Sequence, residues 1–346
     1  MLPLFVNRNA RETTQRNRSK KGLVMAKVHV IHENDAWVEP LRAAFAELGT
    51  PYEEWFIDEG ALDLRNTPPE GVFYNRMSAS SHTRDHRYAA EYTAGVLAWL
   101  ERHDRVIVND SRALRLEISK VAQYEALAAF SIPSPDTIAV VGRKHILESA
   151  RSLGFPLILK HNRGGKGLGV RLFLSEEALQ EHLGSSEFEE PVDGITLVQS
   201  YIKAPEPFIT RLEFVGGKFL YAVRVDTSEG FELCPADVCV IDASAGGSAI
   251  GDAACPAVAP GEKFRIVADY KNPTIPTYER FLAANGIGIA GIEVISDENG
   301  RTFTYDINTN TNYNPDAERR AGVFGMKTVA AHLDGLLRQA PVQRRA

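Results

Sequence analysis

Cysteine is scarce, three residues in 346. Three thiols cannot build a disulfide framework, which points to a reducing, cytoplasmic setting. Cys234, Cys239 and Cys255 also lack the paired C-x-x-C spacing of a zinc site, so they read as buried or idle thiols. Long apolar runs are missing: nothing approaches the roughly 20 residues of a membrane span. Met1–Val6 is too short for a signal-peptide core and has no basic segment before it. Basic charge is in deficit, 39 Lys and Arg against 45 Asp and Glu, for a net −6. The exception is residues 1–24, where Arg8, Arg11, Arg16, Arg18, Lys20 and Lys21 face the single acid Glu12; that stretch carries +5 and leaves −11 on the rest. An acidic body argues against the broad phosphate-neutralising surface of a nucleic-acid binder. Residues 1–25 are expected to be a disordered basic leader, with Met25-Ala26-Lys27 reading as an ordinary start into a strand.

What is present is globular. Hydrophobic residues make up 44% of the chain, and the length suits two or three domains. From 26 to 118 short apolar strands, Val28–Ile31, Val72–Tyr74 and Val106–Val108, alternate with amphipathic helices over 37–48 and 88–102. This is the signature of a parallel, helix-covered sheet whose function lies at the carboxyl ends of its strands. Two polar runs fall there: Asn75-Arg76-Met77-Ser78 and Asn109-Asp110-Ser111-Arg112. In a second unit, 119–200, Ser119 is a candidate N-cap for a helix through Phe130. Strands follow at Thr137–Val141, Leu157–Lys160, Val170–Phe173 and Ile195–Gln199. The third unit, 201–346, begins with strands Ile209–Phe214 and Phe219–Val225 joined by Gly216-Gly217. A second hairpin joins Ile289–Ile295 to Thr302–Ile307 through Asp297–Gly300, and a last helix covers 325–337.

Two stretches carry chemistry. In the first, the buried strand ending in Lys160 runs into a loop with Gly164, Gly165, Lys166, Gly167 and Gly169. Glycines let backbone N–H groups converge on an anion, and a lysine adds a point charge for a phosphate oxygen. The alternative is a mobile hairpin with solvated lysines, and the G-x-x-x-x-G-K-[ST] spacing of a Walker loop is absent. In the second, hairpin pairing would place Glu293 and Asp306 on adjacent strands, while Asp306 and Asn308 share a strand face by the period of two. Two carboxylates and an amide form an oxygen-rich set suited to Mg²⁺. The segment 80–87 holds His82 and Arg84 just beyond a strand end, a candidate loop for an anionic substrate group; Arg76 and Ser78 precede it.

In this order the parts resemble the ATP-grasp superfamily, and within it the RimK-like carboxylate–amine ligases, across nearly all of 27–338. The resemblance implies an α/β (α+β) ATP-grasp fold with an N-terminal Rossmann-like pre-ATP-grasp domain, a central lid subdomain and a C-terminal subdomain bearing the metal. It implies Lys120 and Lys160 as the nucleotide-facing lysines, 162–169 as the phosphate loop, and Gln199, Ser200, Tyr201 and Ile202 as the adenine hinge. Glu206 would hold the ribose. Glu293, Asp306 and Asn308 would bind Mg²⁺ or Mn²⁺. Arg211, or Arg224 in Tyr221-Ala222-Val223-Arg224, would stabilise the oxyanion of the second step.

Departures from the family pattern cluster late in the chain. Ser200 stands where relatives commonly have Glu. Asp306-Ile307-Asn308 replaces Glu-x-Asn, and Thr309–Asn314, including Asn310, replaces a small-Pro-Gly motif beside the acceptor. The implied activity is an ATP-dependent ligase joining a small-molecule or peptide carboxylate to an amine through an acyl phosphate, with release of ADP and phosphate. A phosphotransferase on the same scaffold, a non-catalytic ATP-binding regulator, and a homo-oligomeric assembly all remain open.

Overall fold

A computed structural model of the chain describes residues 26–165, 169–228 and 263–339. The basic leader, Lys166, Gly167 and the three cysteines lie outside the described residues.

The N-terminal unit comprises β1 (Lys27–His32), α1 (Asp35–Leu48), β2 (Tyr52–Phe56), β3 (Gly71–Asn75), α2 (Ala89–Arg102) and β4 (Val106–Val108). Its strands form a parallel sheet in the order β2-β1-β3-β4. Helix α1 starts where Asn34 accepts the Trp37 N–H and stops at Gly49, whose φ of 67° suits a left-handed cap. The sequence pattern did not disclose β2. Its adjacent acids, Glu53 and Glu54, interrupt the apolar signal, and an edge strand tolerates them because one flank meets water.

Two short helices lead out of this unit. In α3 (Ser111–Glu117) Asp110 caps the Arg112 N–H, and in α4 (Lys120–Ala128) Ser119 caps the Ala122 N–H, as its position predicted. The helix expected through Phe130 ends two residues earlier. A four-stranded antiparallel sheet follows, ordered β5-β8-β6-β7, from β5 (Thr137–Val141), β6 (Leu157–His161), β7 (Arg171–Phe173) and β8 (Ile195–Ser200). Helices α5 (Ile146–Leu153) and α6 (Glu176–Gly184) belong to the same unit.

The third sheet has five antiparallel strands, ordered β11-β10-β9-β12-β13. They are β9 (Phe208–Val215), β10 (Lys218–Asp226), β11 (Phe264–Val267), β12 (Ile289–Ser296) and β13 (Thr302–Asn308), accompanied by α7 (Ile275–Ala284), α8 (Pro315–Ala321) and α9 (Gly325–Gln339). Gly216 and Gly217 turn the β9–β10 hairpin with φ of 62° and 68°, a pair of left-handed residues that side chains resist. Helix α9 packs back on α1, β1 and β3, and one apolar cluster spans the N-terminal and C-terminal sheets through Val30, Tyr74, Val215, Ile289 and Leu333. Among the described residues no helix is long and apolar enough to cross a membrane.

The polar runs after β3 and β4 serve largely as rivets between units. Asn109, fully buried with φ of 61°, accepts from Gly288 N and Ile289 N and donates to Ile289 O and Thr309 O. Four such bonds, each worth about 0.5–1.5 kcal/mol net, hold both open ends of the β12–β13 hairpin to the N-terminal sheet.

Candidate active site

The β12–β13 register sets Glu293 directly opposite Asp306, and β9 sets Arg211 opposite Glu293 from the other side. Alternation then turns all three toward one face. A bulge between Glu293 and Val294 leaves Tyr305 as an extra residue on β13. Asn308 donates from Nδ2 to Glu293 Oε1 at 3.2 Å. The oxygen-only set Glu293, Asp306 and Asn308 is therefore gathered as its spacing predicted, and its hard donors fit a magnesium-like cation. Burial pushes the Glu293 carboxyl up to about 7 against the opposing pull of Arg211. A cation at this face would stabilise the charged form.

Lys120, in the first turn of α4, reaches across to this set. Its Nζ donates to Asp306 Oδ1 at 2.9 Å and to the carbonyl of Gly164 at 3.2 Å, joining the Gly-rich loop to the acid wall. Burial works against its charge, but Asp306, together with Tyr124 and Glu117, raises Lys120 above its ordinary value. Lys160, at the end of β6, lies 3.5 Å from the Tyr305 carbonyl and over the Tyr124 and Tyr305 rings. Burial, and then Lys120, bring it down to about 7. Two lysines and two carboxylates thus meet around β13.

Arg211 is 5% exposed. Its Nε lies 2.7 Å from Glu213 Oε1, its Nη1 lies 3.5 Å from Glu293 Oε1, and its Nη2 donates to Thr311 Oγ1, which in turn donates to Glu213. The guanidinium crosses directly over Gly291, where a Cβ would come within 2.5 Å of Nε. Sequence reasoning missed Glu213, Gly291 and Thr311. Glu213 was within reach, two residues from Arg211 on one strand, but the other two depend on neighbouring strands and loops.

Around the expected hinge, Gln199 donates to the Tyr124 and Thr137 hydroxyls, Ser200 N–H bonds Asp136 O, and Tyr201 N–H bonds Pro156 O. Ile202 follows half-buried, and Glu206 is exposed four residues beyond. Gly165 lies against Ser80, so the Gly-rich loop touches the 78–87 segment; exposed Gly169, with φ of 74°, lies beside the His161 ring. Ser78 bonds Ser80, and His82 is half-buried, with burial and Arg163 lowering its pKa. Asn310 is half-buried, and its Oδ1 finds no partner among the described residues.

Three expectations need correction. Arg224 pairs with Thr210 rather than with Arg211, so alternation turns it to the opposite face of the sheet, where it stacks 4.2 Å from the Phe208 ring centre. Arg76 is 1% exposed and donates to Trp37 O, Thr311 O and Asn312 Oδ1, joining units rather than facing a substrate. Arg84 is committed to the fully buried Glu33, at 3.0 and 2.6 Å. A separate group of potential ligands, His32, Asp35 and Glu54, is bridged by Arg42, whose guanidinium donates to both carboxylates.

The chain shares the ATP-grasp fold of solved structures. Of the solved structures, a RimK-domain ATP-grasp protein from Sphaerobacter thermophilus matches at a TM-score of 0.59 and 20% identity, covering 89% of this chain and 99% of that one. The ATP-grasp ligase PsnB, solved with a minimal precursor, Mg and ADP, matches at 0.60 and 13% identity, covering 92% and 99%. In sequence, beta-citrylglutamate synthase B of Danio rerio is 27% identical over 138 residues, which are 39% of this chain and 33% of that protein. The match thus spans about a third of that curated relative's length. No family model matches the chain.

Proposed function

We propose that the chain is an ATP-dependent carboxylate–amine ligase of the RimK-like kind, working in the cytoplasm with Mg²⁺ or Mn²⁺. The observation that carries this reading is the Lys120–Asp306 contact of 2.9 Å, which joins the phosphate-side cations to the paired metal-type acids. We divide it into units at 26–118, 119–200 and 201–346, a reading supported by the three separate sheets among the described residues.

In this reading Lys120, Lys160 and the 162–169 loop neutralise the nucleotide phosphates, residues 199–202 receive the adenine, and Glu206 receives the ribose. Glu293, Asp306 and Asn308 would hold the metal, which when bound would supply Lewis-acid stabilisation of a transferring phosphoryl group. Arg211, braced by Glu213 and Thr311, orients the reacting carboxylate and answers the oxyanion that forms when the amine attacks. The Gly-rich loop, anchored at Gly164 by Lys120, excludes water from the activated acid. Ser78, His82 and Asn310 border the acceptor side.

The test is ADP release measured against a matrix of amino-acid, peptide and carboxylic-acid pairs. A ligase releases ADP and forms an amide only when both acid and amine are present. ADP formed with the acid alone, together with a stable phosphorylated product, would establish a phosphotransferase. No turnover with any pair, alongside tight nucleotide binding, would favour a regulator.

A further inference from the structure

Among the described residues, strand β13, which carries Asp306 and Asn308, is the last strand of its sheet, so its outer backbone groups have no neighbouring strand there. They are nevertheless bonded, as buried peptide groups must be. The donors and acceptors come from the chain around α3 and α4. Thr304 N–H goes to Pro133 O at 2.8 Å, the Tyr124 hydroxyl donates to Tyr305 O at 2.9 Å, and Thr309 N–H goes to Glu117 Oε2 at 2.7 Å. At the centre, Gln123 accepts from Ile307 N at 3.0 Å through Oε1 and donates to Ile307 O at 2.9 Å through Nε2. A side-chain amide holds a donor and an acceptor about as far apart as a strand does, so it reproduces one rung of a ladder. Gln123 is fully buried, and a further bond from Nε2 to Leu116 O at 2.8 Å holds its orientation.

We propose that Gln123 is a positioning residue that sets the metal-binding acid and amide of β13 at a fixed height against Lys120. Lys120, Gln123 and Tyr124 lie at i, i+3 and i+4, on one buried face of α4. The residue that touches Asp306 and the residue that grips Ile307 are therefore one helical turn apart on a rigid element. The gripped Ile307 N–H also lies 3.1 Å from Asp306 Oδ1, so the rung steadies the carboxylate itself. The bulge opposite Glu293 makes this fixing necessary, because an irregular ladder alone defines the height of Asp306 less firmly.

This inference rests on the ligase reading, and its experiment separates the two. Mn²⁺ affinity is measured by electron paramagnetic resonance on full-length protein loaded with a non-hydrolysable ATP analogue. Affinity for the analogue without metal is measured by calorimetry. Gln123→Met removes the rung, and Gln123→Glu keeps its shape and acceptor but loses the donor. Both are expected to weaken Mn²⁺ binding tenfold or more, with metal-free affinity for the analogue within threefold of wild type. Mn²⁺ affinity within threefold of wild type in both variants would overturn the proposal. So would analogue and Mn²⁺ affinities that fall together in step with the thermal midpoint, since that marks a general loss of folding. Wild-type protein that binds neither probe would sink the ligase reading, and this role with it.

Discussion

The central unit and the C-terminal sheet bring opposite charges together where Lys120 and Lys160 approach β13. The central unit contributes Lys160 from β6 and, through the preceding helix, Lys120. The C-terminal sheet contributes Glu293 and Asp306, with Arg211 held by its own acid, Glu213. Neither wall is neutral, and both are buried. Their charges are answered across the gap, in the Lys120–Asp306 pair, as much as within each wall. A polyphosphate bound with its cation suits such a cleft, because it offers negative charge to one side and positive charge to the other.

The largest expected effect comes from the acid wall. Asp306→Asn keeps the shape and removes the charge; it should lower kcat for ADP release by about a thousandfold, on the scale of deleting a transition-state electrostatic partner. Turnover at the wild-type rate would dissolve the contrast between the walls. Next comes the lysine wall. Lys160 is neutral in the free protein above about pH 7, whereas an unconstrained lysine stays charged to about 10.5. Its lowered value means that folding gives up stability as pH falls from 10.5 toward 7, with no further change from this group below that. Phosphates should restore its proton. Metal-free binding of an ATP analogue at pH 8 is thus expected to take up close to one proton, read by calorimetry in buffers of different ionisation enthalpy. Lys160→Arg should abolish the uptake, and equal uptake in both proteins would move the titrating group elsewhere. The smallest effect belongs to Arg224→Ala on the far face, where kcat should change by no more than about threefold. A hundredfold loss would bring that face into the chemistry.

Local chemistry made part of this legible in advance. The αL glycines after α1 and in the β9–β10 turn, the Ser119 cap and the 293/306/308 spacing all act within a few residues or across one hairpin. Period-two alternation was enough to put Asp306 with Asn308. It would also have put Arg224 away from Arg211, had the β9–β10 register been known. Register was the missing quantity, since one residue of slip exchanges the faces of a strand. Arg76 misled for a related reason: a charged residue after a strand end reads as a substrate contact until the carbonyls that surround it are known.

The sequence by itself determined the alternation of elements, the scarcity of cysteine and of long apolar runs, and which residue types could hold phosphate and metal. Those follow from composition and short-range periodicity. Only the tertiary structure decided that Lys120 meets Asp306, that Gly291 makes room for Arg211, and that Gln123 completes the edge of β13. Each joins residues that lie 80 or more positions apart in the chain. Such contacts depend on how whole sheets and helices pack, and no local propensity encodes them.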